Sequence, residues 1–311
     1  MEFNHKSVML SECIDALDIK PSGIYFDGTV GGAGHSSEIL KKLTAGGLLI
    51  GTDKDDDALK ISTERLSKIG NKFELFKSDF KNFAEVLKQK NIQKIDGFLL
   101  DLGVSSYQLD TAERGFSYMR NAKLDMRMDR SNSLSAFEVV NNYSEEKLVK
   151  ILYEYGEENF AKAIVKNIVE YRKVKPIEDT NTLAEIIKKS IPKKIAMQKG
   201  NPCKKTFQAI RIEVNGELSG LFDCIVDMID HLNPGGRIVI LTFHSLEDRI
   251  VKDAFKLCAT DCICPKNIPV CVCGHKASIN LVNKKPIIAS EQEQKENSRS
   301  QSAKLRIAEK I

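Results

Sequence analysis

The sequence predicts an α/β fold: a parallel sheet interrupted by a long, mainly helical insertion. Three observations predict it. Short apolar runs, three of the four ending in Asp, alternate with helical spacing as far as residue 101, the alternation stops for about 100 residues, and it then resumes.

The first run is Ile24-Tyr-Phe-Asp27, followed by a glycine-rich stretch to His35. The second is Leu48-Leu-Ile-Gly-Thr-Asp53, the third covers 73–76, and the fourth is Ile95-Asp-Gly-Phe-Leu-Leu-Asp101. Between them, 57–69 and 83–90 space apolar residues every three or four positions, as helices do. A helix between successive strands implies parallel neighbours. Beyond Asp101 the helical spacing is clearest over 145–155, 160–171 and 182–190. A helix over 215–232, the turn Asn233-Pro-Gly-Gly236 and a strand over 237–243 return to the first pattern. The polar stretch 290–302 reads as an extended surface connection before a last strand over 303–307. The chain therefore reads as a discontinuous sheet domain, 1–108 and 209–311, around a helical insertion, 109–208.

Composition narrows the function classes. In 311 residues, 42% are hydrophobic and 29% charged, and the 19 Gly and 8 Pro are too few for a fibrous or low-complexity chain. No apolar run approaches the roughly 18 residues of a membrane span. Glu2, His5 and Lys6 stand at the N-terminus without an apolar block behind them, so a secretory signal is not expected and the cytosol is the default compartment. The formal net charge is +4, but it is unevenly placed: 111–208 carries 19 Lys/Arg against 13 Asp/Glu, leaving 28 against 30 elsewhere. Lys188, Lys189, Lys193, Lys194, Lys199, Lys204 and Lys205 follow one another with no acid between Ile186 and Gln208. Such a block favours a polyanionic partner, the plain alternative being a solvated lysine-rich face.

The loop after the first strand reads Asp27-Gly-Thr-Val-Gly-Gly-Ala-Gly-His35. It lacks the G-x-G-x-x-G spacing that cradles a dinucleotide pyrophosphate, which disfavours a nicotinamide dehydrogenase. A nucleoside with a carboxylate tail suits it better. Asp53 at the end of the second strand is placed to accept from ribose hydroxyls, Asp79-Phe80 offers an acceptor and a stacking face for adenine, and Asp101 ends the fourth strand at the same edge. Any one of these acids serves equally well as a turn residue. Together they resemble the Rossmann-like class I S-adenosylmethionine-dependent methyltransferase fold.

A narrower resemblance rests on longer motifs. From Asp101 the chain reads Asp-Leu-Gly-Val-Ser-Ser-Tyr-Gln-Leu-Asp110, then Arg114-Gly-Phe-Ser117 and Leu124-Asp-Met-Arg-Met-Asp129. With the segment 5–12, Asn215-Gly-Glu-Leu218, Phe243-His-Ser-Leu-Glu-Asp-Arg249 and Ser302-Ala-Lys-Leu-Arg306, these resemble the bacterial H-type methyltransferases that modify cytosine N4 in small-subunit ribosomal RNA. The resemblance runs over essentially the whole chain. It implies S-adenosylmethionine held by Ala33, Gly34, His35, Asp53, Phe80, Asp101 and Gln108. It also implies a cytosine in the decoding region of 16S rRNA as substrate, and a helical insertion that recognises RNA in the small ribosomal subunit. Monomer and homodimer both stay open. Ser7 stands where the family usually has Pro, Ala33 where it has Gly, Asn121-Ala122-Lys123 where it has Asp-Gly-Pro, and Ser298 and Gln301 where it has Pro and Arg. The methyl of Ala33 is tolerable unless that backbone needs positive φ.

Chemistry at a cytosine amine needs an acceptor, because the nitrogen lone pair is delocalised into the ring. Asp101, or a backbone carbonyl just after it, is expected to hold an amine hydrogen so that positioning supplies much of the rate. Tyr107 and Phe116 are candidates for stacking on the base. His244 and Arg249 are expected at the rim of the site, with Lys204 and Lys205 contacting RNA. The plain reading of the 243–249 segment is a capping network with Ser245 as N-cap and acids in the first turn, and both roles can hold together. Methylation at the ring carbon would need a cysteine nucleophile, and Cys203, in the lysine-rich insertion, is poorly placed for it. A non-catalytic assembly factor would have no use for the strand-end acids, and a small-molecule methyltransferase none for the basic insertion.

Five of the eight cysteines fall between Cys258 and Cys273. Cys262-Ile-Cys264 and Cys271-Val-Cys273-Gly-His275 offer four thiols suited either to a structural zinc or to remaining unligated. A disulfide is the least compatible with a reducing compartment.

Overall fold

A computed structural model describes residues 7–192, 201–265, 267 and 270–311. The chain divides into two compact units, Met1–Gly103 with Leu218–Ile311, and Val104–Glu217. These divisions fall five and nine residues outside the expected 109–208.

The first unit is built on eight strands: β1 (Ile24–Asp27), β2 (Leu48–Asp53), β3 (Phe73–Lys77), β4 (Ile95–Asp101), β5 (Leu232–Thr242), β6 (Ile279–Leu281), β7 (Ile287–Ile288) and β8 (Lys304–Lys310). Their order is β3-β2-β1-β4-β5-β8-β6, with β7 also beside β8. The first five are mutually parallel, whereas β8 runs antiparallel to β5, β6 and β7. Alternate strand residues point to opposite faces, and both faces are apolar. Phe26, Ile50, Phe98, Leu100, Ile238 and Ile240 pack with α4 (Phe83–Gln89), α11 (Leu221–Asp230) and α12 (Ser245–Cys258). Tyr25, Leu49, Leu99, Val239 and Leu241 pack with α1 (Leu10–Leu17), α2 (Gly34–Lys42) and Leu66 of α3 (Asp56–Leu66). The sheet is thus covered on both sides, the doubly wound arrangement that alternating β/α spacing predicts.

The second unit has its own core around α5 (Ser106–Asp110), α6 (Ala136–Asn142), α7 (Glu145–Glu154), α8 (Ala161–Arg172), α9 (Thr180–Ser190) and α10 (Lys204–Asn215). Family-like motifs hold this unit together. Arg114 is buried and donates to the carbonyls of Arg127 and Met128, both at 3.0 Å. Asp125 accepts Arg127 Nε at 2.7 Å and Nη2 at 3.0 Å. Asn215 Nδ2 donates to Met126 O, and Asn215 Oδ1 accepts from Met128 N, each at 2.8 Å.

Four local expectations are corrected. The helix expected over 215–232 is two pieces, because Gly216 (φ +59°) ends α10 and Gly220 (φ +68°) precedes α11, and both sit in the left-handed region. The strand expected at 237 begins at Leu232, which pairs with Ile95 before a register shift. Within the stretch expected to be extended over 290–302, Ser290 caps a short helix, α13 (Glu291–Glu296), and a 3₁₀ turn follows (Ser298–Ser302). The N-cap of α12 is His244 rather than Ser245. No helix among the described residues is long and apolar enough to cross a membrane.

Candidate active site at the carboxyl edge of the sheet

Strand order reverses where β1 pairs with both β2 and β4, and open α/β sheets bind ligands at the carboxyl ends of strands beside such a reversal. Asp27, Asp53 and Asp101 end β1, β2 and β4 at this edge. The 28–33 loop is pinned between them. Asp27 is buried and accepts from Thr29 N at 3.0 Å and Ser36 Oγ at 2.5 Å, fastening the loop to the first turn of α2. Asp53 accepts from Gly31 N at 2.8 Å and Asp55 N at 2.9 Å. Thr29 Oγ1 accepts from Asp101 N at 2.7 Å, and Thr52 Oγ1 donates to Gly28 O at 3.1 Å.

Ala33 and Gly34 lead into α2. Ala33 is wholly buried and left-handed at φ +58°, so this backbone does require positive φ, at a cost for an alanine. A Cβ at Gly34 would collide with the Ser7 side chain, so any larger residue there must displace it. His35 is buried, and burial lowers its pKa to about 4. Its Nε2 lies 3.2 Å from Val8 O, which makes Nε2 the protonated nitrogen and leaves the Nδ1 lone pair toward Asp101 Oδ2 at 3.8 Å. A neutral imidazole at that distance makes no ion pair.

Asp101 Oδ1 is buried and has no hydrogen-bond partner among the described residues, as is also true of Thr206 Oγ1 and His244 Nε2. Burial, with the nearby Asp27 and Glu247 charges, pushes the Asp101 pKa up to about 8, although 28% of the side chain remains open. Burial also raises Asp27 and Asp53, each to about 6. Phe80 is half-buried at the start of a 3₁₀ turn (Phe80–Asn82), and the preceding Asp79 is paired with Lys54 at 2.7 Å. That pairing competes with the adenine-acceptor role expected of Asp79.

His244 and Glu247 form a reciprocal cap on α12. Glu247 N donates to His244 Nδ1 at 3.4 Å, and Glu247 Oε2 accepts from Phe243 N at 2.9 Å and His244 N at 3.3 Å. Sequence reasoning assigned His244 to the site rim, and its local role is this cap. Arg249 is exposed in the second turn of α12. Asp248 ties that helix to β8 through Arg306 at 2.6 Å and Lys304 at 3.0 Å.

The remaining expected residues lie in the helical unit. Gln108 is buried and completes a capping box with Ser105 at the start of α5. Phe116 is buried in the core of this unit, which removes it as a stacking face, while Tyr107 is half-buried on α5. Lys204 and Lys205 are exposed at the start of α10, with Lys205 Nζ 2.6 Å from Glu157 O. Lys193, Lys194, Lys199 and His5 lie outside the described residues. Cys203 is buried, near Ala184 O at 3.6 Å, and burial pushes its thiol up to about 11. Such a thiol is a poor nucleophile.

Sequence reasoning missed Thr29, Ser36 and Asp55, the small polar residues that set the loop. Their only signal was position, one or two residues beyond a strand-end acid or within the first turn of a helix.

The model of the MraW methylase family matches residues 2–311. A relative from Clostridioides difficile (strain 630) is 55% identical over 311 residues, covering 100% of both chains. Relatives from Finegoldia magna, over 312 residues, and Clostridium botulinum (strain 657 / Type Ba4), over 311, are each 54% identical and likewise covered in full. All three are named ribosomal RNA small subunit methyltransferase H. Built on a Rossmann-like class I S-adenosylmethionine-dependent methyltransferase sheet, the chain belongs to the MraW methylase family.

Proposed function

We propose that this protein methylates ribosomal RNA with S-adenosylmethionine, and that the acceptor is the N4 amine of a cytidine in the decoding region of 16S rRNA. The observation that carries the reading is the orphaned Oδ1 of Asp101, a buried acceptor at the carboxyl edge beside the strand reversal. The full-length relatives named for small-subunit rRNA support the substrate class.

The donor set suits the cofactor. Asp53 uses one lone pair on each oxygen for the loop and retains others for hydroxyls. The start of α2 at Ala33, Gly34 and His35 brings backbone close to a ligand, and Phe80 offers an aromatic face. Asp101 offers an unsatisfied acceptor to a cationic group. When bound, S-adenosylmethionine supplies an electrophilic methyl on a sulfonium.

The protein's own task is to prepare the amine. Asp101 is assigned as the acceptor that holds one amine hydrogen, localising the nitrogen lone pair. As the nitrogen gains its fourth bond it must lose a proton; Asp101, mostly protonated near neutrality in the free protein, becomes the base for it once its carboxyl ionises beside the bound sulfonium cation. His35, held neutral by burial, does not compete for that proton. The base must be unpaired or extruded, because its amine edge is engaged in pairing. The excess of lysine in 111–208 is assigned to the RNA backbone, with Lys204, Lys205, His244 and Arg249 as contacts.

The test is transfer of labelled methyl to small subunits, to free 16S rRNA and to a mixture of small molecules. RNA-dependent incorporation supports the reading. Cofactor binding without any RNA methylation refutes it, and incorporation only into small molecules moves the protein to another class.

A further inference from the structure

The 259–278 segment joins α12 to β6, and its four cysteines are not involved in any of the chemistry above. Cys262 Sγ lies 3.4 Å from Cys271 Sγ, Cys271 Sγ 3.6 Å from Cys273 Sγ, and Cys273 Sγ 3.8 Å from Cys262 Sγ. Cys264 completes the group, all four sulfurs lying within 4.8 Å of one another, and its Sγ accepts from Val272 N at 3.4 Å. All four are free thiols. With metal–sulfur bonds of about 2.3 Å, the edges of a tetrahedron of thiolates are about 3.8 Å. The three separations among Cys262, Cys271 and Cys273 lie near that edge, as ligands around one ion would. A four-iron cluster would spread its thiolates farther apart.

Among the described residues of this segment, Ile263, Val270 and Val272 are 52%, 70% and 76% exposed and form no apolar core. The segment's anchors sit at its two ends: Ser278 N donates to Cys258 O at 2.8 Å, and Ala277 N to Asp261 Oδ1 at 3.3 Å. His275 Nε2 lies 2.9 Å from Leu257 O, which commits the imidazole to the end of α12 and leaves four sulfurs as the ligand set. Soft thiolates in tetrahedral array select zinc, and the binding free energy of a structural zinc is folding free energy.

We propose that Cys262, Cys264, Cys271 and Cys273 bind a single zinc ion that folds the segment between α12 and β6. Binding displaces the thiol protons to solvent and involves no change of oxidation state. The site is independent of the methyl-transfer reading and has no catalytic part in it.

The test is metal analysis of the full-length protein, purified in reductant without chelator. About one zinc per chain is expected. Replacement by cobalt(II) should give thiolate charge-transfer bands and tetrahedral d–d bands, and C271S should lose the stoichiometric zinc while keeping its sheet by circular dichroism. Chelator should speed tryptic cleavage after the exposed Lys276 in the wild type by unfolding the segment around it, and added zinc should slow it again. Should the variant fail to fold, the wild-type cobalt spectrum decides alone. A wild type that takes up neither zinc nor cobalt while all four thiols react freely overturns the proposal. So does a mass showing two disulfides in protein purified without reductant and resistant to reduction.

Discussion

The backbone N–H of Asp101 donates to Thr29 Oγ1 at 2.7 Å, tying the end of β4 to the glycine-rich loop that follows β1. One hydroxyl therefore sets the spacing between the loop and the acid. Thr29→Val keeps the shape and removes the acceptor, leaving a strand-end amide without its partner. A loss of about 1–2 kcal/mol is expected in denaturant unfolding, with S-adenosylmethionine binding weakened several-fold by calorimetry. Unchanged stability and affinity would show that the tie does not position Asp101.

Asp101 also makes the free protein sensitive to pH. Its carboxyl rises from an ordinary 3.8 to about 8, so between about pH 4 and 8 the folded chain holds a proton that the unfolded chain has released. Stability from this group is fully present below pH 4 and is lost as pH rises through 8. Asp101→Asn carries no charge to bury. It is expected to match wild type near pH 4 and to exceed it by about 2–4 kcal/mol above pH 8, a figure reduced for the partly open side chain. A pH-independent difference would contradict the burial argument.

Ala33 adopts the left-handed conformation at φ +58°. Ala33→Gly relieves that strain but gives the unfolded chain more freedom, so a net gain of about 0.5–1 kcal/mol is expected. Thermal unfolding with and without S-adenosylmethionine measures it, and destabilisation would mean the methyl packs better than its backbone suggests.

Asn215 joins α10 to the Met126 and Met128 backbone through two hydrogen bonds. Asn215→Ala is expected to destabilise the helical unit by about 2 kcal/mol, leaving those backbone groups unmatched. Proteolysis should cut within 104–217 sooner than in wild type, while the isolated tendency of the sheet unit to bind cofactor stays the same.

The parallel sheet was legible because periodicity and strand-end acids are local signals, and β1, β2, β3 and β4 fall where apolar runs end. The break between α10 and α11 was not, because apolar spacing continues across Gly216 and Gly220 and only backbone conformation separates the pieces. At the site, Asp53 and Asp101 could be read from position, but the orphaned Oδ1 could not, since it depends on which neighbours fail to reach it. The motifs Arg114-Gly-Phe and Leu124-Asp-Met-Arg-Met carried the family resemblance. Nothing in their residue types distinguished RNA contact from the scaffold network that Arg114, Asp125, Arg127 and Asn215 form.

The most direct measurement identifies the methylated nucleoside. Small subunits lacking the modification are incubated with labelled S-adenosylmethionine and wild-type, Asp101→Ala or Cys203→Ala protein, and the rRNA is digested to nucleosides. The account predicts N4-methylcytidine from wild type and Cys203→Ala, and a loss of at least about 100-fold in rate with Asp101→Ala. Finding 5-methylcytidine that disappears with Cys203→Ala, or full activity in Asp101→Ala, would contradict it.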